Sequence, residues 1–312
     1  MKEKDLISVI VPCYNEEEAL PIFYREIGKI IRKMKEVNFE LIFIDDGSRD
    51  KTLDIIKRYA NKDKKVKYLS FSRNFGKEAG MYAGFEAANG DYVVVMDVDL
   101  QDPPEVLIDM YEGVKEGYDS VCLYTTSYKK YPFVRRTLTK LWYKLMNKIS
   151  IVEQKPGARE FRLMNRKMVQ AILDIKEYNR FSKGLFSFVG FKTKWLEYEI
   201  PERTVGESKF PIKKLLSYSV DGITSFSGKP LKVAMYCGLF FCLCSFIAIM
   251  FIIIKTLVYG YPVQGWPSLV CIIIFVSGVQ LFFLGVIGMY IYKIYSEVKG
   301  RPIYIVRERN DK

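Results

Sequence analysis

The stretch Tyr92-Val93-Val94-Val95-Met96-Asp97-Val98-Asp99 is a short apolar run that ends abruptly in two carboxylates. A continuous apolar run of this length reads as a strand buried on both faces, as in a parallel sheet. The same pattern recurs upstream. Ile7 to Val11 stops at Pro12-Cys13-Tyr14-Asn15-Glu16, Phe39 to Ile44 stops at Asp45-Asp46-Gly47-Ser48, and Val66 to Phe71 is a further apolar run. Between them, Leu20 to Met34, Thr52 to Ala60 and the small-residue-rich Ala79 to Ala88 carry helical spacing. Strands alternating with helices predict an α/β fold, a doubly wound and mostly parallel sheet. Ligands of such sheets bind beyond the carboxyl ends of the strands. The polar ends after Val11, Ile44 and Met96 are therefore expected to converge on one crevice.

The residue types narrow the chemistry. Alternation along a strand puts Asp97 and Asp99 on one side, a hard oxygen site suited to Mg²⁺ or Mn²⁺ with positions left for phosphate oxygens. A plainer reading has Asp99 or Asp102 capping a helix before Pro103-Pro104. Likewise Gly47 makes a turn while Ser48 or Asp50 caps the next helix. No GxGxxG follows the first strand and no GxxxxGK occurs, which disfavours dinucleotide-binding and P-loop enzymes. The chain has no His, which removes Ser-His-Asp triads, Cys-His dyads and His-ligated zinc. Cys13, Cys122, Cys237, Cys242, Cys244 and Cys271 form no CxxC pair and are expected as small buried hydrophobes.

The 48 Lys and Arg against 36 Asp and Glu give a net charge of +12, which points to an anionic partner. Val233–Ile254 and Leu269–Tyr292 are free of charge and long enough to cross a bilayer. Lys213, Lys214, Lys229 and Lys232 precede them and Lys293, Lys299, Arg301, Arg307 and Arg309 follow. The positive-inside rule then predicts a transmembrane hairpin with both flanks in the cytoplasm. The expected division is a cytoplasmic domain over 1–228, two transmembrane helices within 229–294, and a basic cytoplasmic tail over 295–312. The N-terminal apolar run is too short for a signal peptide, in keeping with a cytoplasmic domain. Residues 131–150 carry Arg135, Arg136, Lys140, Lys144 and Lys148, with Val134, Leu138, Leu141, Trp142, Leu145 and Ile149 at helical spacing and no acid. This predicts a basic amphipathic helix at an anionic membrane surface. Nucleic acid is disfavoured because no nucleic-acid-binding motif accompanies the charge.

Taken together, several motifs resemble family 2 glycosyltransferases of the polyprenyl-phosphate type, the group of bactoprenol glucosyltransferases and dolichol-phosphate mannose synthases. They are Pro12-Cys13-Tyr14-Asn15-Glu16, Asp45 to Asp50, Ser72 to Glu78, Met96 to Glu105, Glu160 to Met164, Asn179-Arg180-Phe181, Val205 to Lys209 and Asp221 to Phe226. The resemblance covers nearly the whole chain and implies a GT-A-like fold. It implies that Pro12, Tyr14, Glu16, Ile44, Asp46 and Val98 line the nucleotide-sugar pocket. Asp97, Asp99 and Gln101 would hold Mg²⁺ or Mn²⁺. Glu160 and Arg162 would stand near the reacting centre, with Glu160 where the family has Asp. Arg203 and Lys209 would bind phosphates. Arg135 and Arg136, on the basic helix, are expected to guide the acceptor phosphate. The family Arg expected after the strand that follows the aspartate motif is absent from Val121–Tyr128, where Lys129 and Lys130 are the nearest cations.

The implied reaction is inverting transfer of a hexose from a nucleotide-diphosphate sugar, UDP being preferred, to a polyprenyl phosphate. An anionic phosphate nucleophile needs no strong base, which suits a chain without His. The implied partners are the nucleotide sugar, the lipid and the membrane, with room for a homo-oligomer and a separate flippase. The rival readings are a polysaccharide acceptor, disfavoured by the lack of QxxRW, a silent sugar-nucleotide-binding module, and a lipid nucleotidyltransferase.

Overall fold

The computed structural model describes residues 4–126, 155–198, 223–259 and 265–310, with isolated positions between 137 and 152. Strands β1 (Leu6–Cys13), β2 (Asn38–Asp45), β3 (Val66–Phe71) and β4 (Tyr92–Val95) alternate with helices α1 (Ala19–Lys33), α2 (Thr52–Lys62) and α3 (Lys77–Ala87). Helix α4 (Leu107–Lys115) leads to β5 (Ser120–Tyr124). Then come β6 (Ala158–Asn165), α5 (Arg166–Asp174), α6 (Ser182–Phe188) and β7 (Thr193–Glu197). The long helices α7 (Lys229–Tyr259) and α8 (Trp266–Val298) precede β8 (Val306–Arg309).

Among the described residues these strands form one sheet in the order β7-β5-β6-β4-β1-β2-β3-β8. The expected parallel core is present: β1 pairs in parallel with β2 and β4, and β2 with β3. Strand β6 runs antiparallel between β4 and β5, and β8 runs antiparallel along β3. The fold is thus α/β with a mostly parallel, mixed sheet.

Both sheet faces are buried, as the unbroken apolar runs require. Ile7, Val9 and Val11 pack with Leu20, Phe23, Ile27 and Ile30 of α1 on one face. Ile10, Ile42 and Ile44 pack with Ala79, Ala83 and Phe85 of α3 on the other. The small residues of α3 let it lie against the sheet: a Cβ on Gly84 would collide with Ile10 Cγ2.

Helices α7 and α8 are long and apolar enough to cross a membrane, and their apolar windows are not buried against the rest of the chain. A helix that is apolar on all sides and left uncovered by protein matches a lipid environment. Cys13 and Cys122 are buried as expected, but Cys237 is only half-buried and Cys244 is exposed, because α7 has little protein cover there. The 295–312 segment contributes β8. Tyr304 stacks on Phe71 with ring centroids 4.9 Å apart, and Lys57 pairs with Glu308 at 2.7 Å. The expected amphipathic helix over 131–150 falls largely outside the described residues.

Candidate active site

The carboxyl ends of β1, β2 and β4 converge. Cys13 is in register with Asp45, the Asp46 N–H donates to the Cys13 carbonyl at 2.9 Å, and the Met96 N–H to the Ile10 carbonyl at 2.9 Å. The loops after β1 and β2 are stitched by side chains. The Asn15 N–H donates to Ser48 Oγ at 3.0 Å, the Arg49 N–H to Asn15 Oδ1 at 2.8 Å, and the Glu16 N–H to Thr52 Oγ1 at 2.8 Å. Asp50 Oδ2 accepts from the Glu17 N–H at 3.1 Å and Oδ1 from the Thr52 N–H at 3.0 Å, so this acid braces the turn into α2. Gly47 sits at φ 69°, where a Cβ would come within 2.6 Å of the Arg73 backbone. That close approach brings the 72–76 loop to Asp46, which accepts from the N–H groups of Phe75 at 2.6 Å and Gly76 at 2.9 Å. Asp46 is buried, and burial pushes its pKa up against those two hydrogen bonds.

Asp97 and Asp99 lie beyond the end of β4, in a turn, so strand alternation does not orient them as expected. Leu100 adopts φ 55°, and Asp99, exposed, accepts from the Gln101 N–H at 3.2 Å. Asp97 is half-buried and pairs with Lys77, whose Nζ is 2.6 Å from Asp97 Oδ1 and 2.6 Å from Glu160 Oε2. Lys77 opens α3, an unfavourable place for a cation beside the positive end of a helix. The two carboxylates compensate. Burial works against the ammonium, yet Asp97 and then Glu160 hold its pKa above the usual lysine range. Burial likewise opposes ionisation of Glu160, but Lys77 followed by Lys183 keeps that acid below the usual carboxylate range. A second pair stands beside the first: Arg159 Nε is 2.9 Å from Asp102 Oδ1 and Nη2 is 3.2 Å from Oδ2. This pair, not a helix cap, is what Asp102 forms. The Cys13 thiol at the end of β1 is pushed well up, first by burial and then by Asp45, Glu16 and Asp97.

Among the described residues no three Asp, Glu, Cys or His side chains gather to hold a metal ion. The donors at hand, Asp97 and the exposed Asp99, fit a Mg²⁺- or Mn²⁺-type ion that draws its other ligands from water and substrate phosphates.

The other expected site residues separate. Tyr14 is 42% exposed at the crevice mouth, while Pro12 and Glu16 are half-buried. The Ile44 side chain lies in the core against α3, and Val98 is buried. Arg162 is buried two residues along β6 from Glu160, its guanidinium between the rings of Phe186 at 5.0 Å and Trp195 at 5.4 Å. Its Nη1 donates to Ser120 Oγ at 3.3 Å and Thr193 Oγ1 at 3.4 Å, and no crevice carboxylate pairs with it among the described residues. Arg135, Arg136, Arg203 and Lys209 lie outside the described residues. Sequence reasoning missed Lys77, Arg159 and the Glu78–Ser182 contact. Lys77 was missed because the helical spacing begins at Ala79 in the sequence, whereas the structure starts α3 at Lys77.

A mixed sheet whose parallel half carries a carboxylate-lined crevice beyond its strand ends is a GT-A-like α/β architecture. The chain belongs to glycosyl transferase family 2, whose family model matches residues 8–173. The SfII prophage-derived bactoprenol glucosyl transferase of Shigella flexneri is 45% identical over 302 residues, covering 97% of each chain. A prophage bactoprenol glucosyl transferase homolog of Escherichia coli is 42% identical, over 96% of this chain and 98% of its own. A glucosyl-3-phosphoglycerate synthase from Mycobacterium tuberculosis, solved with Mn²⁺, UDP-glucose and phosphoglyceric acid, superposes with a TM-score of 0.46 at 19% identity. That match covers 70% of this chain and 78% of the other.

Proposed function

We propose that this glycosyltransferase moves glucose from UDP-glucose to a polyprenyl phosphate such as undecaprenyl phosphate, forming a lipid-linked monosaccharide. The observation that carries the reading is the 45% identity to a bactoprenol glucosyl transferase over 97% of both chains, α7 and α8 included. In the proposed reaction a phosphate oxygen of the lipid bonds to the anomeric carbon as the bond from that carbon to the UDP oxygen breaks. The configuration inverts, and the electron pair leaves with UDP.

Asp97 and Asp99, with Gln101, would hold a divalent cation, which when bound supplies Lewis-acid stabilisation to the leaving diphosphate. Lys77 keeps Glu160 ionised and aimed at the crevice, and its ammonium offsets the charge of an incoming phosphate. Pro12, Tyr14, Glu16 and Val98 serve the nucleotide side. Asp46 acts there through the 72–76 loop that it holds, and Ile44 through the core beneath. Arg203, Lys209, Arg135 and Arg136 serve the phosphates. The chain divides into a catalytic domain over 1–228 and a transmembrane hairpin over 229–294, with the catalytic side in the cytoplasm. The basic residues flanking both helices support that orientation.

The test is a radiolabel transfer assay. Purified full-length protein receives undecaprenyl phosphate, Mg²⁺ or Mn²⁺, and labelled UDP-glucose, UDP-N-acetylglucosamine or GDP-mannose. Label from UDP-glucose enters the organic phase and is lost in Asp99→Asn. Absence of lipid label with every donor, from folded protein, overturns the proposal.

A further inference from the structure

The 72–76 loop joins β3 to α3, and the N–H groups of its last two residues donate to Asp46. Ser72, Arg73 and Asn74 are exposed, so burial within the loop does little to fix its shape. Both of its ends meet one side chain, which arrives from the C-terminal segment. The Tyr304 ring stacks on Phe71, the last residue of β3, with centroids 4.9 Å apart and planes at 23°. The same ring meets Tyr82 of α3 edge-on at 6.5 Å, and its hydroxyl donates to Glu86 Oε2, one turn further along α3, at 2.5 Å. Tyr304 thus bridges the strand that enters the loop and the helix that leaves it. The next residue adds a backbone grip, because the Ser72 N–H donates to the Ile305 carbonyl at 2.9 Å. Ring contacts carry the hold inward. Phe71 meets Phe75 edge-on at 5.8 Å, and Phe75 bears one of the two N–H groups on Asp46. Ring pairs of this kind add to ordinary burial through their quadrupoles.

The segment that carries Tyr304 is itself held at both ends. Helix α8 ends at Val298, six residues before Tyr304. In its last turn Glu297 accepts from the Tyr178 N–H at 3.0 and 3.1 Å and from the Asn179 N–H at 3.3 Å, which ties the foot of a candidate membrane helix to the domain. On the other side β8 pairs with β3, and the register shifts between Ser70 and Phe71, at the mouth of the loop. A shift of this kind re-aims the side chains beside it. Pairing places Val306 opposite Phe71, two residues after Tyr304.

We propose that Tyr304 is a positioning residue for the crevice: by gripping both ends of the 72–76 loop it sets the two N–H groups that orient Asp46 and the start of α3 that carries Lys77. The proposal rests on the reading of Asp46 and its loop as serving the nucleotide side. The ring does the holding. The hydroxyl meets an exposed carboxylate and contributes little.

The experiment compares full-length wild type, Tyr304→Leu, Tyr304→Phe and Asn310→Ala in detergent micelles. Tyr304 is half-buried, so leucine is expected to fold there. Asn310 accepts from the Tyr68 N–H at 2.6 Å and donates to the Val66 carbonyl at 3.2 Å, so its loss loosens the far end of the tail and leaves the loop contacts in place. Two quantities are read below the Tm of every variant: amide hydrogen exchange over residues 72–77, and the affinity for UDP with Mn²⁺ by isothermal titration. Tyr304→Leu is expected to speed the exchange and to weaken UDP binding by about tenfold each. Tyr304→Phe keeps both within about threefold of the wild type. Asn310→Ala lowers Tm and leaves both in the wild-type range. Unchanged exchange over 72–77 in Tyr304→Leu overturns the proposal. So does an equal loss of UDP affinity in Asn310→Ala, which makes the effect one of general stability. Faster exchange with unchanged UDP affinity also overturns it, because the loop is then uncoupled from the crevice. A wild type that binds no UDP removes the nucleotide reading instead, and the exchange rates then decide alone whether Tyr304 holds the loop.

Discussion

Lys77 Nζ lies 2.6 Å from Asp97 Oδ1, and the same nitrogen reaches Glu160, so one ammonium occupies the space between a strand-end aspartate and a carboxylate from the antiparallel β6. A divalent cation bound to Asp97 would have to share that oxygen with a positive charge or displace it. Repulsion between a unit and a double charge a few ångströms apart is large even in a polar medium. Without substrate, the aspartate pair should therefore bind metal weakly. A diphosphate adds negative charge and oxygen ligands and shifts that balance.

Lys77→Met is expected to tighten Mn²⁺ binding to the nucleotide-free protein by on the order of tenfold, read from the free-Mn²⁺ electron paramagnetic resonance signal. Sugar transfer should fall in the same variant, because Glu160 loses its partner. Lys77→Arg, which keeps the charge, should bind Mn²⁺ as the wild type does. Equal Mn²⁺ affinity in the wild type and Lys77→Met would show that the ammonium does not oppose the metal.

Glu78 gives a pH signature. Burial first, opposed by the Ser182 hydrogen bonds and reinforced by Glu160, pushes its pKa from 4.5 up to about 7. The folded state thus binds a proton that the unfolded state releases between those values. Stability from this group is fully present below pH 4.5 and declines until the pH passes about 7. The loss amounts to roughly 3 kcal/mol. Tm of Glu78→Gln, which keeps an acceptor for Ser182, should fall less than that of the wild type between pH 4.5 and 7.5. Parallel Tm curves would remove Glu78 as the source.

What could be read from the chain follows from how local each signal is. Strands β1 to β4 and helices α1 to α3 are legible because both sheet faces are apolar and each strand stops at a polar cluster. The crevice is legible for the same reason. Strand β6 is not, because its N-terminal half, Ala158-Arg159-Glu160-Phe161-Arg162, carries the charges that meet Asp102 and Lys77 and so breaks the apolar pattern. Strand β8 is four residues, three of them charged, and forms only through pairing with β3, more than two hundred residues earlier. Alternation misplaced Asp97 and Asp99 because β4 ends at Val95, before the motif begins.

The Asp102–Arg159 pair closes the turn that carries Asp97 and Asp99. Asp102 is 5% exposed, and both its oxygens meet the guanidinium. Removing one member of a buried pair leaves a charge without compensation, at a cost of about 3 kcal/mol. Asp102→Asn is expected to lower the denaturation midpoint accordingly and to speed amide hydrogen exchange across residues 97–106. A midpoint within error of the wild type would mean that solvent, not Asp102, satisfies Arg159.

The contact between α3 and β1 is the remaining constraint on Lys77, because α3 carries that lysine at its first position. Gly84 faces Ile10 with no room for a Cβ, so Gly84→Ala must push the helix off the sheet or force Ile10 out of its rotamer. Overpacking of this kind costs about 1–3 kcal/mol, which outweighs the gain in helix propensity from Gly to Ala. A shift of α3 also moves Lys77 away from Asp97 and Glu160, so transfer activity should fall together with Tm. Pairing Gly84→Ala with Ile10→Ala removes the colliding atom at the cost of a buried side chain, so the double variant should lose less activity and less Tm than the two single changes added together. If the double variant is as inactive as the sum of the two single changes, helix placement does not govern the position of Lys77.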